Sequence, residues 1–302
     1  MNLLFHKTLY TLLLVTVILT GCSSAKNDDV LPTNTVKLSV VVSVAPYAGL
    51  VERLGGDFVE AAVLVPVGKE PENYQPTPDS LTKISRAAVY FRCGFEFEES
   101  FLPKLKTVAP SIKIVDLRNG ITLRQLELHS HDDKHSDHSD TKSMDVHTWL
   151  STQNLKLQAA LILDTLATID PKNESYYAAN YEKLTDDLVS LRSEVEKKLK
   201  PFANETIYVF HPAYGYFCDE FGLQQRAIEF EGRTPKPREQ ADWVRALRAE
   251  AKPVIFVQPE FNQSAAESLV RQIDGKIVIH SPLPHDPLNA ISSLTELIIK
   301  NL

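Results

Sequence analysis

From residue 172 to residue 200 the chain contains no glycine or proline. Over this run Tyr177, Tyr181, Leu184, Leu188, Leu191, Val195 and Leu199 recur every three or four residues, which puts them on one face of a helix. At ~1.5 Å per residue the helix is roughly 40 Å long, about the height of a domain. Pro171 is tolerated in its first turn, and Pro201 ends it. A rod of this length cannot be swallowed by one small core. It must either back a larger structure or pair with a second helix, so the globular parts are to be sought on either side of it.

On both sides the pattern is strand alternating with helix. Residues 36–44 (VKLSVVVSV) are β-branched without period-2 polarity, as in a parallel-sheet strand covered on both faces. Further strands are predicted at 58–65, 87–91 and 112–117, with helices at 47–54, 80–86 and 95–106. Asp79 is expected to N-cap the second of these helices. Glu96, Glu98 and Glu99 stand in the first turn of the third, where the helix dipole favours anions. A dense apolar helix is predicted at 152–169. Beyond the rod, strands are expected at 206–210, 225–230, 254–257 and 276–280. Their helices fall at 219–223, 238–251, 264–273 and 288–301, and a loop at 231–237. Such alternation specifies an α/β fold: two Rossmann-like lobes, each a four-stranded parallel sheet with helices, joined by one long backbone helix. The divisions are an N-terminal lobe at 36–170, the linking helix at 171–200 and a C-terminal lobe at 201–302.

The first residues belong to neither lobe. A short apolar run at 9–19 follows His6 and Lys7 and leads into Leu19-Thr20-Gly21-Cys22. It is too short for the ~20 residues of a spanning helix and reads as a lipoprotein signal peptide, residues 1–21, with lipid attached to Cys22. Residues 22–35 are a polar tether. An extracytoplasmic, lipid-anchored protein follows, in the periplasm or on the outer face of the cell membrane. The formal charge of −7 argues against nucleic acid as a partner. Cys93 and Cys218 either pair in that oxidising compartment or stay as two buried thiols.

The chemistry is carried by histidine. Residues 129–140 place His129, His131, His135 and His138 among carboxylates and small polar residues, with nothing apolar. Such a tract cannot bury a core and is expected to be a solvated loop that meets metal ions loosely. His147 differs, because Val146, Trp149 and Leu150 return the chain to packed structure around it. A fixed imidazole beside a collecting tract points to a metal protein; a polar insertion followed by an ordinary core histidine would look the same.

Three segments make the reading specific. They are Gly68-x-Glu70-Pro71-x-Asn73-Tyr74-Gln75-Pro76, then Asp145-x-His147-x-Trp149-Leu150, and His211-x-Ala213-x-Gly215-Tyr216 directly after a strand. Together they resemble the metal-binding lipoproteins of zinc and manganese ABC importers. The resemblance implies one divalent cation held between the lobes by Glu72, His147 and His211. Glu72 stands where the family usually has histidine, and Ser281, a poor ligand, where it commonly has aspartate, so the fourth position falls to water or to His280. Tyr47, Tyr74 and Tyr214 are expected to wall the ion. Two imidazoles, one carboxylate and the histidine tract favour zinc over manganese as the transported ligand. The implied partner is a cognate ABC permease in the cytoplasmic membrane, served by a monomer that is not an enzyme. Two rivals remain: a zinc-dependent hydrolase, which lacks a His-Glu-x-x-His or Gly-x-Ser-x-Gly motif, and a metal-free adhesin-like paralogue.

Overall fold

The computed structural model describes residues 37–126, 144–229, 237–261 and 263–302. The signal peptide, the tether with Cys22, the tract from His129 to His138 and most of the 231–237 loop lie outside them. The first lobe runs β1 (Leu38–Val42), α1 (Ala45–Gly55), β2 (Val59–Val63), α2 (Pro78–Ser85), β3 (Val89–Arg92), α3 (Glu96–Val108), β4 (Lys113–Asp116). Helices α4 (Thr152–Ile169) and α5 (Glu174–Leu199) follow. The second lobe is β5 (Thr206–Val209), α6 (Gly215–Phe221), β6 (Gln224–Ala227), α7 (Pro237–Arg248), β7 (Val254–Val257), α8 (Gln263–Ile273), β8 (Lys276–Ile279), α9 (Pro287–Asn301).

Both sheets are wholly parallel, in the orders β2-β1-β3-β4 and β6-β5-β7-β8. Each order reverses beside its first strand, so each lobe has a crevice at the carboxyl ends of its central strands, where α/β sheets bind ligands. The β-branched run was a sound guide to burial: Val40, Val41 and Val42 are at most 1 % exposed.

The first turns of α2 and α3 add detail to the sequence reading. Thr77, not Asp79, caps α2: its hydroxyl accepts from the Ser80 N–H at 3.2 Å, and the Ser80 hydroxyl accepts from the Thr77 N–H at 3.2 Å. Pro78 is suited to the first helical position, so the helix starts on it. Asp79 is left to pair with Lys83 at 3.0 Å. In α3 the first-turn acids do not all face solvent. Glu98 is fully buried and accepts from the backbone N–H of Cys93 (3.0 Å) and Gly94 (2.6 Å), from Arg92 Nε (3.1 Å) and from the Ser43 hydroxyl. Cys93 and Cys218 are separate buried thiols.

The rod is α5, with Tyr177, Leu184, Leu188, Val195 and Leu199 buried along its stripe. It packs on α4, α1 and α9, helices from both sides of the chain. The main hydrophobic core is therefore continuous from β1 and α1 through α5 to β5 and α9. A smaller core under α7 and α8 covers the outer face of the second sheet. Trp149 adds a direct tie, its indole N–H donating to the Pro282 carbonyl at 2.7 Å.

Candidate metal centre

Three strand-end loops meet in the crevice. Glu72 lies in the proline-stiffened loop between β2 and α2. Its side chain is 22 % exposed, but both carboxylate oxygens are buried, so the exposed part is the stem. His147 stands before a 3-10 turn, Thr148–Leu150, that carries the buried Trp149. Asp145 fixes the ring: one oxygen, Oδ1, accepts from the His147 backbone N–H at 2.9 Å and faces Nδ1 at 2.8 Å. With Nδ1 as donor, Nε2 presents a lone pair to the crevice. His211 follows β5. Its backbone is clamped by Gln258, which accepts from its N–H (3.1 Å) and donates to its carbonyl (3.0 Å). Its Nδ1 faces Glu229 at 3.7 Å.

The ends of these side chains form a triangle. Nε2 of His147 and Nε2 of His211 are 3.2 Å apart. Glu72 Oε1 is 3.3 Å from the first and 3.0 Å from the second. Four-coordinate zinc with bonds of ~2.0–2.2 Å would space its ligand atoms by roughly 3.3–3.6 Å, so the triangle needs little expansion to hold one ion. Both Glu72 oxygens, His211 Nδ1 and one oxygen each of Glu229 and Glu260 are buried without a hydrogen bond. Buried polar atoms are rarely left so, and a cation beside Glu72 would satisfy its two. Among the described residues, no other His, Cys, Asp or Glu group of three or more converges in this way.

The charges are strongly coupled. Burial alone would lower the His211 pKa, but the Glu72 and Glu229 carboxylates outweigh it and push it up to about 10. His147 is also raised, because the Asp145 and Glu72 carboxylates beside it outweigh burial. Glu72 moves the opposite way: burial disfavours its charge, but His211 and His147 hold it well below the usual carboxylate range. Without the ion, a proton on His211 offsets part of the carboxylate charge.

His280 does not join the triangle. Its Nδ1 faces the Tyr214 hydroxyl at 3.1 Å, and its Nε2 faces the Ala290 carbonyl and the Ser293 hydroxyl, both at 3.1 Å. The chain leaves β8 with Ile279 outward and His280 turned against α9. Burial lowers its pKa to about 4, so it is neutral at neutral pH. The Ser281 hydroxyl is taken up by Glu260. The hydroxyls of the three tyrosines expected around the ion are engaged within the protein. Tyr47 bonds Thr148 and Gln158, Tyr74 bonds Ser80, and Tyr214 bonds His280. The rings against the candidate ligands are Phe261, stacked on His211 at 4.1 Å between centroids, and Trp149 and Phe95, at 5.4 and 6.3 Å from His147. The sequence reading placed Trp149 beside His147 but missed Phe261, Phe95 and Glu229. Phe261 and Glu229 each stand just after a second-lobe strand, which was the available signal.

Comparison with known proteins shows the family. The family described as zinc-uptake complex component A, periplasmic, matches residues 40–302. The manganese ABC transporter substrate-binding lipoprotein PsaA of Streptococcus pneumoniae is 28 % identical over 264 residues, 83 % of this chain and 81 % of that one. The manganese-binding lipoprotein MntA of Halalkalibacterium halodurans is 25 % identical over 262 residues, 84 % and 81 % of the two chains. A crystal structure of ZnuA superposes with a TM-score of 0.79 at 29 % identity, covering 88 % of this chain and 99 % of that one. With the match running through both sheets and all three loops of the triangle, the chain belongs to the zinc-uptake component A family.

Proposed function

We propose that this chain is an extracytoplasmic solute-binding lipoprotein that captures a divalent transition-metal ion and delivers it to an ABC permease. Glu72, His147 and His211 hold the ion, and the fourth position is left to water. The observation that carries the reading is the convergence of two imidazole Nε2 atoms and one carboxylate oxygen within 3.0–3.3 Å of one another. Zinc is the favoured cargo, because it accepts this nitrogen-rich, low-number set. Manganese, which asks for more oxygen ligands, is the alternative, and relatives named for manganese keep it in view. Lipid on Cys22 anchors a monomer beside the permease, and the tract holding His129, His131, His135 and His138 raises the local zinc concentration.

Transport rather than turnover is the role. A hydrolase would need a base poised over an open metal position. Here the carboxylates behind the ligands, Asp145 and Glu229, face imidazole nitrogens. Competition settles the cargo: purified protein, stripped of metal and offered equimolar zinc and manganese, is expected to retain one zinc. Retention of manganese instead would assign the alternative, and turnover of an ester, peptide or phosphate substrate by the zinc form would revive the hydrolase.

A further inference from the structure

Arg124 lies outside the triangle but touches both halves of the molecule around it. Its Nη1 donates to Asp145 Oδ2 at 3.2 Å, and Asp145 is the carboxylate that orients His147. Its Nε donates to Asp219 Oδ2 on α6 at 2.9 Å. The guanidinium rests on Gly215, the first residue of α6: a Cβ there would fall 1.6 Å from Nη1 and 2.3 Å from Cζ. Tyr216, next along, donates its hydroxyl to the Asp145 carbonyl at 3.0 Å and accepts from the Arg124 N–H at 3.2 Å. Gly215 and Tyr216 follow His211 by four and five residues. The result is a closed ring of contacts: His147 to Asp145, Asp145 to Arg124 and Tyr216, and α6 back to His211.

We propose that Arg124 is a latch between the lobes that sets how fast the bound ion leaves. It is a positioning residue acting through Asp145. The inference rests on the reading that Glu72, His147 and His211 hold the ion. Its N-lobe end is strong, because Asp145 is fully buried and a charge-assisted bond there is not screened by water. Its C-lobe end has three parts among the described residues. The Asp219 pair is exposed, with Asp219 58 % accessible, and contributes little. The bare Cα of Gly215 and the Tyr216 hydroxyl supply the rest, and both lie on the segment that carries His211. For the ion to escape, His147 must swing away from His211. With the latch closed that motion drags Asp145 against α6, and with it open the N-lobe ligand moves alone.

The test is the rate at which zinc passes from the full-length protein to a chelator in excess, with the melting temperature of each metal-free form measured beside it. Losing a partner that orients a metal ligand costs about 10- to 100-fold in affinity, so Arg124→Gln is expected to release zinc about 10-fold faster or more. Gly215→Ala keeps the arginine but pushes it off α6, and Tyr216→Phe removes one hydroxyl; each is expected to speed release several-fold with stoichiometry still one. Asp219→Asn is expected to do least, and Arg124→Lys, which keeps the charge without the fork, to fall between wild type and Arg124→Gln. The Arg124→Gln/Tyr216→Phe double variant should release no faster than the product of the singles, and slower if the two act as one tie. Wild-type rates in both Gly215→Ala and Tyr216→Phe would overturn the latch, as would rate changes that merely track lost stability. If wild-type protein takes up no zinc or manganese, the three-ligand reading fails instead, and the two failures are told apart by stoichiometry.

Discussion

Glu72 is the single negative charge set directly between two imidazoles, and it decides what the site does when no ion is present. With the His211 pKa pushed up to about 10, against an ordinary ~6.5, that ring is protonated in the metal-free protein at neutral pH. An incoming ion must displace the proton. Affinity is therefore expected to rise with pH across the neutral range, by about tenfold per pH unit for each proton released. Calorimetric titrations with zinc at pH 6, 7 and 8 check this, and a flat profile would contradict it. From the unperturbed pKa alone the fall in affinity would be confined to the approach to pH 5; the buried carboxylates move it upward. Linkage fixes the sign for stability too. The His211 pKa is raised on folding, so its contribution to the metal-free fold is complete below about 6.5 and is lost as pH rises toward 10. His280 behaves oppositely. Its folded pKa is lowered to about 4, so the unfolded chain takes up the proton first and stability falls as pH drops from about 6.5 to 4. His280→Asn is expected to flatten that acid limb of the melting profile and to leave zinc affinity within about threefold of wild type, as befits a residue whose ring nitrogens face Tyr214 and α9. A hundredfold loss of affinity would restore it as a ligand.

Among the elements, α5 ties the fold together, and its stripe shows how far periodicity reads. Leu188 is 2 % exposed in the middle of the rod. Leu188→Ala is expected to destabilise the protein by about 2–5 kcal/mol, lowering the melting temperature while one zinc still binds; unchanged stability would mean that the rod does not carry the shared core. Elements with unambiguous local chemistry were legible to the residue: α4 ends at Asp170-Pro171, and β7 is a four-residue apolar run before Gln258-Pro259. Strand ends were less so. Residues 36–44 read as one apolar stretch, but the ladder closes at Val42 because α1 begins at Ala45. Helix α6 was read four residues late, since Gly215 and Tyr216 carry no helical signal and Gly215 is small for the sake of Arg124. The placing of Glu72, His147 and His211 was legible because each sits in a short motif at a strand or loop end. The orientation of His280 was not, because one residue of register at a strand end decides which way a side chain turns.

At the scale of the molecule, the continuous core, α5 across the back and the Trp149 bond to Pro282 leave little freedom between the lobes. A site built this way is largely preformed, and loading should move backbone by no more than about 1 Å. Selectivity then has to come from the ligand triangle and its carboxylates rather than from domain closure. The most direct test of the account is a crystal structure of the zinc-loaded protein, with anomalous diffraction recorded at the zinc edge. The account predicts one principal ion bonded to Glu72, to Nε2 of His147 and to Nε2 of His211 at ~2.0–2.2 Å. An ion held elsewhere, with these three side chains still contacting one another and not the metal, would contradict it.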